Sequence, residues 1–438
     1  MKKTLAMFVM LAIAFSLIAC GGTASSSSAG SASSASGSAL TGQTLNVMLS
    51  EEPSSEDSLT NTLNAWAEAT GNTVNLMVIP YDDQLTKFPL MAKNNDLPDL
   101  VATTRLTRLY PDEFMDLSSV LDTSLFEEKA LQIISQDYSG TKTACAPLQF
   151  TITCVYYNET AFAAAGIEVP TVDSPWSLEE LVANAEKLMS ADGVKYGIAM
   201  DASRARYDNL MYLGGGSMVE KDGDSFKVSI NSPENISTLE TFIGWNDSGL
   251  MPKAIWAGGT TDNPADYFKN GDVGIYFSGS WNYNTFTNEI SAFDFGVMPS
   301  PVNGSNTSAI LGGSGLAVPE NSKNKDLAVS FLKWLYEDEA NYQDYLNRDK
   351  GLSSLKGLTY APADEKAAAD FEVMQSEVQN VSDLFLVDES SEWRNYLDNE
   401  YRDAIKQAVN GDISSTEALG GFATSLAESS SWPLVYEG

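Results

Sequence analysis

Histidine is missing from all 438 residues, and cysteine occurs only three times. Without imidazole there is no Ser-His-Asp triad, no H-E-x-x-H zinc site and no histidine general base. Basic residues are also scarce: 26 Lys and Arg stand against 59 Asp and Glu, a formal net charge of −33. Phosphate backbones are bound mainly through Lys and Arg that displace condensed counterions, so nucleic acid is not expected as a partner. Apolar residues are plentiful, at 43% hydrophobic and 10% aromatic, over a length that suits two or three domains. The chain is expected to fold, and any enzyme built on it works with carboxylates, Lys, Tyr or Cys.

Residues 1–19 have the order of a signal peptide, with Lys2 and Lys3 ahead of an uncharged apolar run from Leu5 to Ile18. The run ends in Leu17-Ile18-Ala19-Cys20, which resembles the lipobox of bacterial lipoproteins. That resemblance implies cleavage before Cys20, a diacylglycerol on its thiol, acyl chains such as palmitate held by the residue, and anchorage on the outer face of the cell membrane. The acidic composition and the lipid lean towards a Gram-positive surface over a periplasm. Residues 20–42 are then the lipidated cysteine and a Ser/Ala/Gly linker too poor in apolar surface to order itself. Its root-mean-square reach is on the order of 25 Å.

Cys145 and Cys154 flank a stretch read as turning back on itself, so in an exported protein they are either a disulfide or two reduced, packed thiols. Two thiols without imidazole do not make a metal site, and neither a metal nor another cofactor is expected.

From Thr44 the chain alternates short apolar strands with amphipathic helices, the pattern of an α/β fold. Strands are expected at Thr44–Leu49, Thr73–Ile79 and Leu97–Ala102, with helices from about Ser58 and over Asp83–Lys93 between them. The ligand edge of such a unit lies beyond the carboxyl ends of its strands, where Glu51, Thr103 and Arg105 emerge. Capping-box spacing at Ser177/Glu180 and Ser414/Glu417 marks two more helix starts, and Lys221-Asp222-Gly223-Asp224 marks a hairpin.

Four ordered segments are similar to the sugar-type extracellular solute-binding proteins of ABC importers, the family of maltose-binding protein. They are Leu97-Pro98-Asp99-Leu100; Val155-Tyr156-Tyr157-Asn158 with the downstream Pro175-Trp176-Ser177-Leu178; Phe268 through Trp281; and Phe295 through Pro301 with Gly312 through Pro319. The resemblance implies a periplasmic-binding-protein-like α/β fold, in which two lobes joined by crossing hinge strands hold the ligand cleft between them. Carried over, the first lobe takes 43–151 and 296–345 and the second takes 152–295 and 346–438, with Gln149 to Thr153 as a crossing segment. It implies a carbohydrate ligand, the ABC importer's permease subunits as partners, a membrane contact through the lipid, and a monomer.

A sugar needs flat aromatic platforms for its ring faces and fixed polar groups for its hydroxyls. Trp281 stands where the family places a stacking aromatic. Trp256, in a Gly-rich loop, is read as a cleft wall or as lobe packing, whereas Trp334 repeats with Phe331 and Leu335 at core spacing. The polar candidates are Glu51, Thr103, Arg105, Gln149, Asn209 and Arg394, and Gly313-Ser314 lets backbone approach the ligand. Tyr156 and Tyr157 point to opposite faces of one strand and so do not converge on an ion. No catalytic residue is singled out. Two rivals remain at this point: a glycoside hydrolase with paired carboxylates, and a surface lipoprotein that keeps the fold without transport.

Overall fold

The strand at Ala146–Asn158, rich in β-branched and aromatic residues, runs for 13 residues and belongs to two sheets at once. In a computed structural model, residues 40–437 are described, apart from 54–56, 81–82, 104, 136–139, 141, 191–192 and 258–262. The signal peptide, Cys20 and most of the linker lie outside these residues. The strands are β1 (Thr44–Leu49), β2 (Thr73–Val78), β3 (Leu100–Thr103), β4 (Ala146–Asn158), β5 (Tyr196–Met200), β6 (Val219–Asp222), β7 (Ser225–Val228), β8 (Val273–Gly279), β9 (Phe295–Met298) and β10 (Leu311–Ala317). The small β6–β7 hairpin stands apart at the expected Asp222-Gly223 turn.

Strand pairing runs continuously in the order β2-β1-β3-β10-β4-β8-β5, with β9 also beside β4, and β4 divides it into a first sheet, β2 to β4, and a second. In the first, β1, β2 and β3 are parallel, whereas β10 is antiparallel to both β3 and β4. It follows that β4 runs in the direction of β1–β3 and leaves this sheet at the edge where those strands end. Its pairing with β10 stops at Ile152. From Thr153 the same strand pairs antiparallel with β8 and, from Val155, with β9, and β5 lies parallel to β8 on the far side. Thr153 is opposite Gly279, the last residue of β8. The carboxyl ends of the two sheets therefore face each other across Ile152–Thr153.

Each sheet carries its own helices. Helix 58–70 is capped by Asp57, whose carboxylate accepts from Thr60 N–H at 2.6 Å, and buries Trp66 edge-on to Phe331. Both expected capping boxes form, at Ser177/Glu180 and Ser414/Glu417. Tyr156 is buried, with its hydroxyl donating to Gly279 O at 2.9 Å, and Tyr157 is on the opposite face, as alternation requires.

Cys145 and Cys154 are free and buried, the second of the two states the sequence left open. The stretch between them does not turn back but is the body of β4, and nine residues of extended chain separate the two by roughly 30 Å. The return to the first sheet does not come at 296, because β9 still pairs with the second half of β4; it lies between Met298 and Leu311. Leu346 and Leu355 also belong to the first core, beyond the expected limit at 345.

Candidate functional site

On the second sheet's side, β5 and β8 end together, and each runs into a helix. Met200 leads through Asp201 to helix 204–213, and Gly279 leads to Trp281 at the start of helix 282–289. Trp281 is 45% exposed, whereas Trp66, Trp256 and Trp393 are fully buried. Its ring folds back over Gly279, where a Cβ would fall 1.7 Å from a ring carbon, so only glycine is accommodated beneath it. The Arg206 guanidinium lies 5.7 Å from the ring centroid.

Below this ring is a polar cluster. Arg206 Nη1 donates to Ser278 O at 2.7 Å and to Thr153 Oγ1 at 3.1 Å. Asp201 accepts from Ser278 Oγ at 2.6 Å and from the Tyr276 hydroxyl, and Asn282 Nδ2 donates to Ser278 Oγ at 2.8 Å. Burial pushes the Asp201 carboxyl up, against the opposing pull of Arg206 and its two hydroxyl donors.

On the first sheet's side, Ser314 of β10 pairs with Gln149 of β4. Gly313 has φ +151, and a Cβ there would meet Gln149 O at 2.1 Å, so the two crossing backbones touch only because this residue is glycine. Gln149 Nε2 donates to Asp349 Oδ1 at 3.1 Å. Burial, reinforced by the charge of Asp57, pushes the Asp349 carboxyl up to about 6, against hydrogen bonds from Gln149 and Tyr345.

Thr103 is buried opposite Gly315, and its hydroxyl accepts the N–H groups of Arg105 and Leu106, so it caps the turn that carries Arg105. Glu51 is exposed just past β1. Asn209 is buried, and its amide is spent on Thr153 Oγ1 and Ser308 O. Trp256 is no cleft wall: it is fully buried, edge-on at 5.0 Å to Phe242 of helix 233–247. Arg394 pairs with Glu389, which also receives Arg108 from the first sheet's edge. A cavity of about 390 Å³ lies elsewhere, lined by Leu178, Gly214, Thr241 and Trp245 at the far end of helix 204–213. Among the described residues no three acidic or cysteine side chains gather as a metal cluster.

The family described as bacterial extracellular solute-binding protein matches residues 52–342. This chain belongs to that family. Relatives include the diacetylchitobiose-binding protein of Streptomyces coelicolor, 25% identical over 84% of this chain and 87% of that one. The galactooligosaccharide-binding protein of Bacillus subtilis is 23% identical over 84% of each. Binding proteins of Brucella abortus and Brucella suis are 24% identical over 62% of this chain and 66%, just under two thirds, of their own length. Among solved structures, a substrate-binding protein of Listeria monocytogenes in complex with cycloalternan superposes with TM-score 0.73 at 19% identity, covering 89% of this chain and all of that one. Maltose-bound MalE3 of T. maritima gives TM-score 0.74 at 17% identity, over 88% and 99%. These structures share the periplasmic-binding-protein-like fold.

In a solute-binding protein of this fold, two groups at the facing edges escaped sequence reasoning: Arg206 and Asp349. Each sits against its helix dipole, Arg206 in the first turn of helix 204–213 and Asp349 as the last residue of helix 339–349. A cation at the positive end and an anion at the negative end are locally unfavourable. Such a conflict with local preference is the signal the sequence offers for both positions.

Proposed function

We propose that this chain captures a carbohydrate, an oligosaccharide in particular, between its two sheet-bearing lobes and hands it to the permease of an ABC importer. The observation that carries this reading is the half-exposed indole of Trp281 at the edge where the carboxyl ends of both sheets meet. An open aromatic face offers a platform for the apolar face of a sugar ring. Gln149, Asp349, Ser314 and Arg105 on one side, and Asp201 and Asn282 on the other, supply fixed donors and acceptors for hydroxyls. The diacetylchitobiose- and galactooligosaccharide-binding relatives support the same solute class.

The mechanism is binding and release with no covalent step. Contacts from both lobes favour the closed form by their differential affinity, and the closed form is what the permease reads. The protein works as a monomer on the outer face of the membrane, held through acyl chains on Cys20 and the linker that follows. A thermal-shift series with mono- and oligosaccharides tests the reading, since a ligand bound only by the folded state raises the melting temperature. A rise with an oligosaccharide is expected. No rise with any carbohydrate, together with a rise with an amino acid or peptide, overturns it.

A further inference from the structure

Arg206 is only 4% exposed, yet its two hydrogen-bond acceptors, Thr153 Oγ1 and Ser278 O, are neutral, and its Nε meets no acceptor. Burial of a guanidinium whose direct hydrogen-bond partners are neutral is costly, the charges of Asp201 and Asp208 offset that cost only in part, and the first turn of a helix adds an unfavourable dipole. What this placement provides is a cation against the ring of Trp281, 5.7 Å from its centroid. The other end of the same contact is the crossing itself. Thr153 Oγ1 also accepts from Asn209 Nδ2 and from Ile310 N–H, each at 3.0 Å. One hydroxyl thus joins β4 where it changes sheets, helix 204–213, and the segment on its way back to β10.

We propose that Arg206 is a positioning residue that fixes the Trp281 ring against the crossing strand, so that a solute stacked on the indole is felt at Thr153, where the two sheets are joined. This rests on Trp281 being the platform, and the ring's orientation is measured without any sugar so that the two ideas fail separately. The full chain is labelled with 5-fluorotryptophan, and the Trp281 ¹⁹F resonance is assigned by its loss in Trp281→Phe. Arg206→Met keeps bulk and removes charge; it is expected to move the Trp281 resonance towards that of the free amino acid, and Arg206→Lys is expected to restore most of the shift. Thr153→Val, which leaves Arg206 and Gly279 unchanged, is expected to move it in the same direction. An unmoved Trp281 resonance in folded Arg206→Met overturns the proposal. If that variant does not fold, Thr153→Val decides on the same resonance. Movement in Arg206→Met alone overturns the link to the crossing strand. A failed carbohydrate series leaves the ¹⁹F result standing and removes only the solute assignment.

Discussion

Arg108 Nη1 lies 3.2 Å from the backbone oxygen of Glu389 and 3.4 Å from its Oε2, bridging 281 positions of chain. Arg108 follows β3 at the edge of the first sheet. Glu389 ends helix 383–389, whose Asp388 accepts the N–H groups of Met218 and Val219 on the second lobe. Both side chains are nearly dry, at 11% and 7% exposure, and Arg394 shares the carboxylate. Truncating one partner of a buried pair strands the other charge. Glu389→Ala is therefore expected to lower stability by about 3 kcal/mol in urea unfolding. A loss below about 0.5 kcal/mol would mean that this contact between lobes contributes nothing to the fold.

Removal of the platform is expected to act on binding and leave folding intact. Trp281 is half exposed and contributes little to either core, so Trp281→Ala should melt within a few degrees of wild type. Affinity for the sugar that gives the largest thermal shift should fall at least tenfold, equivalent to about 1.4 kcal/mol. Calorimetric titration checks this; unchanged affinity would place the platform elsewhere.

Asp349 makes stability depend on pH with a definite sign. Its folded value of about 6 lies above the ordinary 3.8. Between those values the native state holds more protons than the unfolded one, so stability falls as pH rises through this window and stays reduced above it. The loss is on the order of 3 kcal/mol. Asp349→Asn keeps the acceptor for Gln149 and removes the buried charge. It should melt above wild type at pH 7.5, with the difference shrinking towards zero at pH 4; a difference independent of pH would show that this carboxyl does not titrate as assigned.

The thiols give a fourth check. In a Cys20→Ser chain prepared without reductant, Cys145 and Cys154 should titrate as two free thiols once unfolded. Neither should react in the native state, since burial pushes the Cys145 thiol up to about 11 and that of Cys154 well above its usual range. An intact mass two daltons low would sink the extended-strand account of β4.

The alternation of Thr44–Leu49, Thr73–Val78 and their helices was legible because hydrophobic period and capping residues act locally. So were Tyr156 and Tyr157, whose opposite faces follow from strand geometry alone. What escaped depends on distant partners. Gly-rich neighbours left Trp256 open between cleft wall and lobe packing, and it is Phe242, in a helix that precedes it, that takes the ring into the core. A proline and short polar residues suggested a turn between the cysteines, yet β8 and β10 pair that segment from both directions and hold it straight. Arg206 and Asp349 carry no spacing motif, and their roles exist only once β4 brings two sheet edges together.

That single strand also ties the fate of one lobe to the other during unfolding. Residues 146–152 of β4 pair with β10 and residues 153–158 with β8 and β9, so loss of either set frees one end of the strand that the other sheet depends on, and the two bodies are expected to unfold together. Calorimetry on the unliganded protein should record one endotherm, and a mutation placed deep in either core should displace that whole peak without splitting it.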